Sequence, residues 1–339
     1  MERRDLLKIF SVGTLAAMSS QLSWRSLSES GALSVAPLED MGTSASELIA
    51  SMQMMSTPAP QVSEYLKAFQ SAAPELKVLA EADTQNPNVQ APIVATTASP
   101  DLTQYLERMR NHELSHLEDK YLRRDQFAVL ISTFKRLDRV QNLIGHGNFN
   151  VVSLDETLSY AKRYASIGQF TEAEKLFIEE IFSANAAEYG FFGEKVITRL
   201  TDRVSDKDRQ KIGQTGHFLY RGESVAAYNQ VKRDIGPTIV LTSGIRSVVK
   251  QTHLFLAKAI QSKGNLSKAS RSLAPPGHSY HGVGDFDVGK IGFGRKNFSE
   301  AFASTEEFKR LVELGYVDIR YPRDNMFGVR YEPWHIKVV

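Results

Sequence analysis

Two residues near the end of the chain have side chains and a spacing suited to acid–base or metal chemistry. Glu332 and His335 lie three positions apart in YEPWHIKVV, residues 331–339. On a flat strand, residues three apart point to opposite faces, so these two side chains could not meet. Pro333 removes a ladder donor and favours an edge or a bend. The sequence therefore predicts a bend that turns both side chains into one site, with Trp334 packed beneath it.

A second stretch, PPGHSYHGVGDFDVG at residues 275–289, supplies further donors. It contains Ser279, His281, Asp285 and Asp287. Together the two stretches offer two imidazoles, a metal-binding carboxylate and a free carboxylate. A His, Asp, His set around zinc leaves a fourth position for water, which is typical of a catalytic site. Because the chain contains no cysteine, His and carboxylates are its only strong metal ligands.

Three segments, in this order along the chain, resemble the zinc D-alanyl-D-alanine carboxypeptidases and dipeptidases of cell-wall metabolism. S-G-x-R-S followed by a glutamine appears as SGIRSVVKQ, residues 243–251. S-x-H-x-x-G-x-A-x-D has a counterpart in SYHGVGDFD, residues 279–287, and E-x-W-H is intact in EPWH, residues 332–335. The resemblance covers residues 216–339. It implies an α+β domain with a central antiparallel sheet, the Hedgehog-like peptidase fold, acting on peptidoglycan stem peptides.

The resemblance further implies that His281, an aspartate and His335 hold one zinc ion. The family places its aspartate seven positions after the first histidine, whereas Asp287 follows His281 by six. Asp285 and Asp287 share a face if the segment is a strand, so both could approach a metal. Asp287 is favoured as the ligand, because the two residues after it continue the family pattern. Asp285 stays open as the alternative.

Roles in catalysis and substrate binding are also implied by the resemblance. Glu332 would be the general base towards zinc-bound water and then the general acid towards the leaving amine. Arg246 would bind the substrate carbonyl and the oxyanion that develops on it. Ser279 would support the first metal ligand or the substrate, and Gln251 would contribute to substrate binding. Two alternatives remain: an endopeptidase that cuts cross-links, and a non-catalytic wall-binding module, which the shortened His–Asp spacing would suit.

A separate motif, HELSH at residues 112–116, matches H-E-x-x-H. In that motif two histidines one helical turn apart bind zinc and the glutamate acts on water. The flanking sequence is charged on nearly every side, whereas such a site needs a partly apolar wall and a third ligand. The favoured interpretation is a solvated face of a helix over residues 101–120. The alternative is a metalloprotease that uses His112, Glu113 and His116.

Composition narrows the class of protein. The chain has 339 residues, 42% of them hydrophobic and 24% charged, which is typical of a soluble globular protein. A formal net charge of +2 argues against a nucleic-acid partner. Residues 1–36 begin with paired arginines, Arg3 and Arg4, and a short apolar run. They resemble a twin-arginine export signal, cut after Ala32 or Ala36, which predicts a periplasmic or extracytoplasmic protein that engages the twin-arginine machinery.

The apolar run is too short to be a permanent membrane span. An N-terminal amphipathic helix is the alternative interpretation of this segment. Residues 37–100 are expected to be a flexible tether and linker with one possible helix. An α-helical region over residues 101–215 then precedes the catalytic domain at 216–339.

Local patterns predict individual elements. An apolar stripe predicts a helix over residues 126–144. A buried strand is expected over residues 238–242, a helix over 247–262, and a final strand from about residue 327. Three capping boxes predict helix starts. They are Ser153 with Glu156, Thr171 with Glu174, and Ser304 with Glu307.

Overall fold

The computed structural model describes residues 102–315 and 317–339. The predicted export signal, tether and linker lie outside the described residues. Within them, no helix is long and apolar enough to cross a membrane. The α-helices of this part of the chain are α1 Leu102–Arg110, α2 Gln126–Ile144, α3 His146–Phe149, α4 Leu154–Arg163, α5 Glu172–Ser183, α6 Glu223–Ile235, α7 Val248–Gln261, α8 Leu266–Ser272 and α9 Glu306–Leu314. The strands are β1 Arg209–Lys211, β2 Phe218–Tyr220, β3 Ile239–Ser243, β4 Phe286–Lys290 and β5 His335–Ile336.

Three of the helices before residue 184, α2, α4 and α5, begin where the sequence predicts. α2 covers the span of its apolar stripe. At the starts of α4 and α5, the side chains of Ser153 and Thr171 accept from the backbone N–H three residues on. The carboxylates of Glu156 and Glu174 accept from the cap residues in return, so both capping boxes are confirmed.

One hydrophobic core joins these helices to α7. Leu130 and Leu137 of α2 and Phe177 of α5 belong to the same buried cluster as Phe255 and Leu256 of α7. Burying apolar surface on both sides stabilises α7 against the helical region. The segment that precedes α7, which contains Arg246, is therefore held from one side by the helical region.

A three-stranded antiparallel sheet in the order β3-β4-β5 holds the segments of the predicted site. Its register places Ser243 opposite Asp287, and Asp287 opposite His335. An irregularity in β3 after Leu241 produces this pairing, because it shifts the register by one residue. Directly paired residues lie on one face of a sheet, so the three polar side chains form a row across the strands.

The other face of β4 is apolar. Phe286 and Val288 belong to a second buried cluster together with Leu241, Trp334 and Ile336. Trp334 is 3% exposed, so its predicted place as a packing residue is confirmed. The predicted fold class is also confirmed: an α-helical region followed by a small antiparallel sheet with helices.

The α-helical region also contains one short strand, β1, which pairs with β2. Two local predictions are wrong. α9 is capped by Thr305, one residue after the predicted cap, because Ser304 is the last residue of a preceding 3-10 helix. The final strand is only two residues long. Gly328, with a φ of 79°, and Pro333 interrupt the expected ladder before it.

Candidate metal centre

The structure brings His281, Asp287 and His335 together. One ligand atom from each lies within 4.8 Å of the others. The Nε2 atom of His281 is 3.1 Å from Oδ1 of Asp287, and the Nδ1 atom of His335 is 3.7 Å from the same oxygen. All three residues are at most 3% exposed. Two imidazoles and a carboxylate, converging where water is largely excluded, are a donor set that fits zinc.

A close approach of two backbone segments positions His281. The ring of His281 donates from Nδ1 to the carbonyl oxygen of Gly244 at 2.8 Å. A Cβ atom at Gly244 would lie 2.0 Å from the carbonyl oxygen of Phe218, so only glycine lets the chain pass this close to β2. The N–H of Arg246 donates to the carbonyl oxygen of His281 at 3.3 Å. The segment before α7 therefore holds both the backbone and the ring of His281.

Both histidine rings are oriented by a hydrogen bond on the nitrogen that faces away from the cluster. Because Gly244 accepts from Nδ1 of His281, the Nε2 lone pair of that ring faces Asp287. His335 donates from Nε2 to Oδ2 of Asp285 at 3.1 Å, so its Nδ1 faces the cluster. A carboxylate or carbonyl on the far nitrogen fixes the tautomer of metal-binding histidines in this way.

Asp285 lies behind His335 and is held by other partners. Arg320 donates to it from Nε at 2.8 Å and from Nη2 at 3.2 Å, and the N–H of Val338 donates at 2.8 Å. Burial alone would raise the pKa of Asp285, but hydrogen bonds from His335 and Arg320 hold it well below its usual range. A carboxylate with its oxygens occupied in this way orients His335, while Asp287 is the aspartate inside the cluster.

Charge within the cluster is strongly coupled. Burial would lower the pKa of His335, but hydrogen bonds to Asp285 and Glu332 and the charge of Asp287 raise it to about 9. Burial would raise the pKa of Asp287, but the charges of His281 and Arg246 hold it well below its usual range. The raised pKa of His335 reflects the carboxylates around it, and a metal ion bound at Nδ1 would replace the proton on that nitrogen.

The two predicted catalytic side chains border the cluster. The bend at Pro333 is confirmed, because the N–H of His335 donates to the carbonyl oxygen of Glu332 at 3.1 Å. This bend puts Oε2 of Glu332 3.3 Å from Nδ1 of His335. Arg246 donates from Nε to Oγ of Ser243 at 2.9 Å and from Nη2 to Oδ2 of Asp287. Its guanidinium is therefore fixed at the edge of the site.

The other two predicted substrate-binding residues occupy structural positions next to the site. Ser279 directly precedes the 3-10 turn Tyr280–Gly282, and its carbonyl oxygen accepts from Gly282 at 3.0 Å. Gln251 is 1% exposed and donates from Nε2 to the carbonyl oxygen of Ala274. This contact ties α7 to the segment that leads to His281. Substrate binding by Ser279 and Gln251 stays a prediction.

The HELSH segment does not form a metal site. α1 ends at Arg110, so the expected helix over residues 101–120 is wrong, and residues 112–116 form turns and irregular chain. Glu113 pairs with Lys258 at 2.8 Å. The guanidinium of Arg271 donates to the carbonyl oxygens of His112 and Leu114, which a continued helix would need for its own bonds. Of the residues described, only His281, Asp287 and His335 form a candidate metal cluster.

Sequence reasoning missed Asp285 and Arg320 as the groups that orient His335. The two aspartates in DFD signalled a shared face, but nothing local assigns Asp285 to an arginine 35 positions away. One signal was available: Asp285 directly precedes the strand that carries Asp287, and a carboxylate buried there needs a charged partner.

Comparisons with known proteins agree with the motifs. Residues 223–339 match the family model of VanY, D-alanyl-D-alanine carboxypeptidase. No curated protein sequence matches the chain.

Three similar solved structures each cover less than half of the chain. One is the LdcB LD-carboxypeptidase, with 28% identity over 38% of this chain and a TM-score of 0.32. The chain spans 62% of the length of LdcB. A zinc complex of the D,D-pentapeptidase VanY from a VanB-type resistance cassette has 20% identity over 44% of this chain and 88% of its own, with a TM-score of 0.33. The third is VanYB in complex with D-alanine-D-alanine, which is 20% identical over 44% of this chain and 86% of its own length. Its TM-score is also 0.33. The resemblance predicted for the C-terminal third is thus confirmed by the family model, which matches residues 223–339 as a VanY-type D-alanyl-D-alanine carboxypeptidase domain.

Proposed function

We propose that the protein is a zinc-dependent peptidase of the D-Ala-D-Ala carboxypeptidase type, acting on peptidoglycan stem peptides. The observation that carries this proposal is the buried convergence of His281, Asp287 and His335, with Glu332 beside them. The convergence lies within the segment that matches the VanY family model. The shortened His–Asp spacing does not keep Asp287 out of the cluster, which removes the support for a non-catalytic module.

One ion would be held by Nε2 of His281, a carboxylate oxygen of Asp287 and Nδ1 of His335. When bound, zinc supplies a Lewis acid that polarises a carbonyl oxygen and lowers the pKa of water towards neutrality. The Asp285–Arg320 pair keeps His335 in the tautomer that leaves Nδ1 free for the metal.

Glu332 moves the proton. Its carboxylate takes a proton from the attacking water as the water oxygen bonds to the carbonyl carbon. The same carboxyl group then gives that proton to the leaving nitrogen as the C–N bond breaks. No bond to the protein forms at any point, so the reaction needs no side-chain nucleophile.

Arg246 stabilises the negative charge that develops on the carbonyl oxygen. Ser243 and Asp287 hold its guanidinium in place before substrate arrives. A cation fixed in advance stabilises a developing oxyanion without reorganisation at the moment of reaction. This makes Arg246 the second catalytic residue of the proposal.

Export is part of the proposal. The paired arginines at the start of the chain support transport by the twin-arginine machinery and an extracytoplasmic location, where peptidoglycan lies. The proposed catalytic domain starts near residue 216 and shares a core with the helices that precede it, which suits a single exported unit.

Mass spectrometry of stem peptides tests the function. Purified peptidoglycan is digested with zinc-loaded protein, and we expect pentapeptide stems to lose their terminal D-alanine. Zinc-loaded Glu332→Ala protein should leave the stems unchanged. Loss of cross-linked dimers with intact pentapeptide stems would instead indicate an endopeptidase. Unchanged peptidoglycan in both digests would contradict the proposal.

A further inference from the structure

Three consecutive backbone N–H groups around Arg246 donate to three separate segments of the chain. The acceptors are carbonyl oxygens of β2, of the turn that carries the first metal ligand, and of the residue that follows α3 in the helical region. The bonds run from Ile245 to Phe218 at 2.8 Å, from Arg246 to His281 at 3.3 Å, and from Ser247 to Asn150 at 2.8 Å. The backbone that carries Arg246 is therefore fixed by three segments at once. We call residues 245–247 the arginine junction.

Asn150 ties two of these segments together through a second hydrogen bond. Its Nδ2 donates to Nδ1 of His217 at 3.2 Å, and His217 directly precedes Phe218 in the chain. Burial and the charges of Lys250 and Arg246 lower the pKa of His217 to about 4. The ring is therefore neutral at pH 7, and its Nδ1 is free to accept. Together with the bonds of the arginine junction, this contact closes a ring that runs from the helical region through β2 and back.

Asn150 is itself held firmly at the end of α3. It is buried, and its N–H donates to the carbonyl oxygen of His146 at 3.2 Å. Phe149 on one side of it belongs to the core that α2 and α7 share. Val151 on the other side packs in a buried cluster with Ile245. The carbonyl group that accepts from the arginine junction thus belongs to a well-packed part of the helical region.

The guanidinium of Arg246 depends on this backbone for its position. Its tip is held by Oγ of Ser243, at 2.9 Å from Nε, and by Asp287. These side-chain contacts fix the guanidinium only if the Cα atom at the other end of the side chain is also fixed. Misplacement of a catalytic group by about 1 Å can reduce a rate by about 100-fold. The bonds of the arginine junction therefore bear directly on the oxyanion contact.

We propose that Asn150 is a positioning residue for Arg246. Its carbonyl oxygen holds the arginine junction, and its side chain fixes that junction relative to β2. Asn150 lies outside residues 223–339, which match the family model, so the helical region contributes to the activity of the C-terminal domain. This inference rests on the proposed function, because it requires an arginine that acts on the substrate.

Steady-state kinetics of Asn150→Ala in the zinc-loaded full chain give the first test. The substitution removes the bond to His217, so the carbonyl group at residue 150 is no longer tied to β2. We expect kcat on a D-Ala-D-Ala peptide to fall by about tenfold and KM to change by less than about twofold, because the oxyanion contact is made in the transition state. Asn148→Ala is the matched control, since the exposed Nδ2 of Asn148 donates to the carbonyl oxygen of Ile144. This variant should keep the wild-type kcat.

A double-mutant cycle separates positioning from a general loss of structure. Arg246→Ala alone should reduce kcat by about 10²–10³-fold, as for other oxyanion-binding groups. If Asn150 acts through Arg246, adding Asn150→Ala to this variant should change kcat by less than about twofold. A merely structural role would give the same tenfold loss with and without Arg246.

A second variant breaks the ring from its other side. His217→Phe keeps a planar ring but offers no acceptor to Asn150, so kcat should fall by about as much as in Asn150→Ala. The two changes together should cost little more than either alone. Circular dichroism and zinc content, measured with zinc in excess, show that each variant is folded. If Asn150→Ala does not fold, His217→Phe carries the same cycle with Arg246→Ala.

Nuclear magnetic resonance gives a readout that does not need hydrolysis. In ¹⁵N-labelled full chain, the Nε–H signal of Arg246 is identified by its loss in Arg246→Lys. Because this group donates to Ser243, its hydrogen should exchange slowly with water. We expect the exchange to become about tenfold faster in Asn150→Ala and in His217→Phe, and to stay unchanged in Asn148→Ala.

The outcomes separate this inference from the proposed function. An unchanged kcat in Asn150→Ala, an equal loss with and without Arg246, or unchanged exchange at Arg246 Nε would overturn the positioning role. A fully active Arg246→Ala variant would overturn it as well. Absence of hydrolysis by the wild-type chain would count against the peptidase, and faster exchange at Arg246 in Asn150→Ala would then still support the link between the two residues.

Discussion

Residues 112–116 and the cluster of His281, Asp287 and His335 both contain two histidines and a carboxylate. Only in the cluster do these side chains converge. In the cluster, the far nitrogen of each ring is bonded to a carbonyl or a carboxylate, and the near nitrogens converge. In the HELSH segment, Glu113 is neutralised by Lys258 and the chain is not helical. Residue types and spacing therefore identify candidates, and the groups around each side chain decide between them.

The difference has a physical origin in what surrounds each backbone. β4 and β5 form a register in which Asp287 and His335 are directly opposite, and the sheet is fixed by its apolar face. The HELSH segment is held instead by Arg271, which takes the carbonyl groups of His112 and Leu114. Pairing of strands places directly opposite side chains next to one another. A segment that is held only through its carbonyl groups does not bring its own side chains together.

The largest effect should come from removing a cluster ligand. We expect His335→Ala to weaken zinc binding by about 1,000-fold or more, because each of three ligands supplies a large share of the binding free energy. Activity on stem peptides should disappear with it. His116→Ala is the matched histidine in the other region, and should retain zinc and activity. Metal content by mass spectrometry and zinc titration against a chelator measure both variants. Loss of zinc in His116→Ala would reverse the comparison.

A smaller effect should follow from changing the proton carrier alone. Glu332→Gln keeps the shape of the side chain but cannot accept a proton, so kcat should fall by about 10²–10⁴-fold. Zinc content should stay equal to that of the wild type, because Glu332 is not among the three clustered ligands. Glu113→Gln, the corresponding change in HELSH, should leave kcat unchanged. Steady-state kinetics on a D-Ala-D-Ala peptide decide this, and an active Glu332→Gln enzyme would remove Glu332 from its proposed role.

The next effect should come from the group that orients His335. Asp285→Asn keeps the size of the side chain but removes its charge, leaving Arg320 without its ion pair. We expect zinc affinity to fall by about 10–100-fold, as for other carboxylates behind a metal-binding histidine. Asp324→Asn, at an exposed position on the same C-terminal segment, is the control and should bind zinc normally. Unchanged affinity in Asp285→Asn would mean that His335 needs no carboxylate behind it.

Local sequence patterns predicted the parts of the fold that depend on local interactions. α2, the two capping boxes of α4 and α5, and the bend at Pro333 each follow from residues a few positions apart. The metal ligands that the family resemblance implied also meet in the structure, where the pairing of β4 with β5 places Asp287 opposite His335. Local patterns predicted the first group of features, and the family motifs predicted the ligands.

Features that depend on distant partners could not be read from the sequence. Asp285 is paired with Arg320, and the end of α1 depends on Arg271 at 159 positions from His112. The charged stretch around HELSH has helical spacing, so its local pattern favours the wrong structure. A buried arginine that takes the carbonyl groups of a segment overrides its helical preference, which amounts to less than about 1 kcal/mol per residue.

The smallest effect concerns this arginine. Arg271 donates to both carboxylate oxygens of Asp119, at 2.7 and 3.1 Å, and Asn265 donates to the same group. Burial would raise the pKa of Asp119, but these hydrogen bonds lower it to about 2. Since the folded-state pKa is below the ordinary value, the ionised group stabilises the fold above about pH 4. This stabilisation is lost as the pH falls towards 2.

Asp119→Asn should therefore lower the free energy of unfolding by about 1–2 kcal/mol at pH 7, after allowance for solvent screening. The difference from the wild type should shrink as the pH falls from 4 towards 2, because the wild-type carboxylate is protonated first in the unfolded state and then, near its pKa of about 2, in the folded state. Zinc affinity should stay unchanged, since the partners of Asp119, Arg271 and Asn265, are not among the clustered ligands. Denaturant titrations at several pH values measure this, with Asp125→Asn as the control, because Asp125 pairs with Arg123 at the surface. A drop in zinc affinity in Asp119→Asn would show that the two regions are energetically coupled.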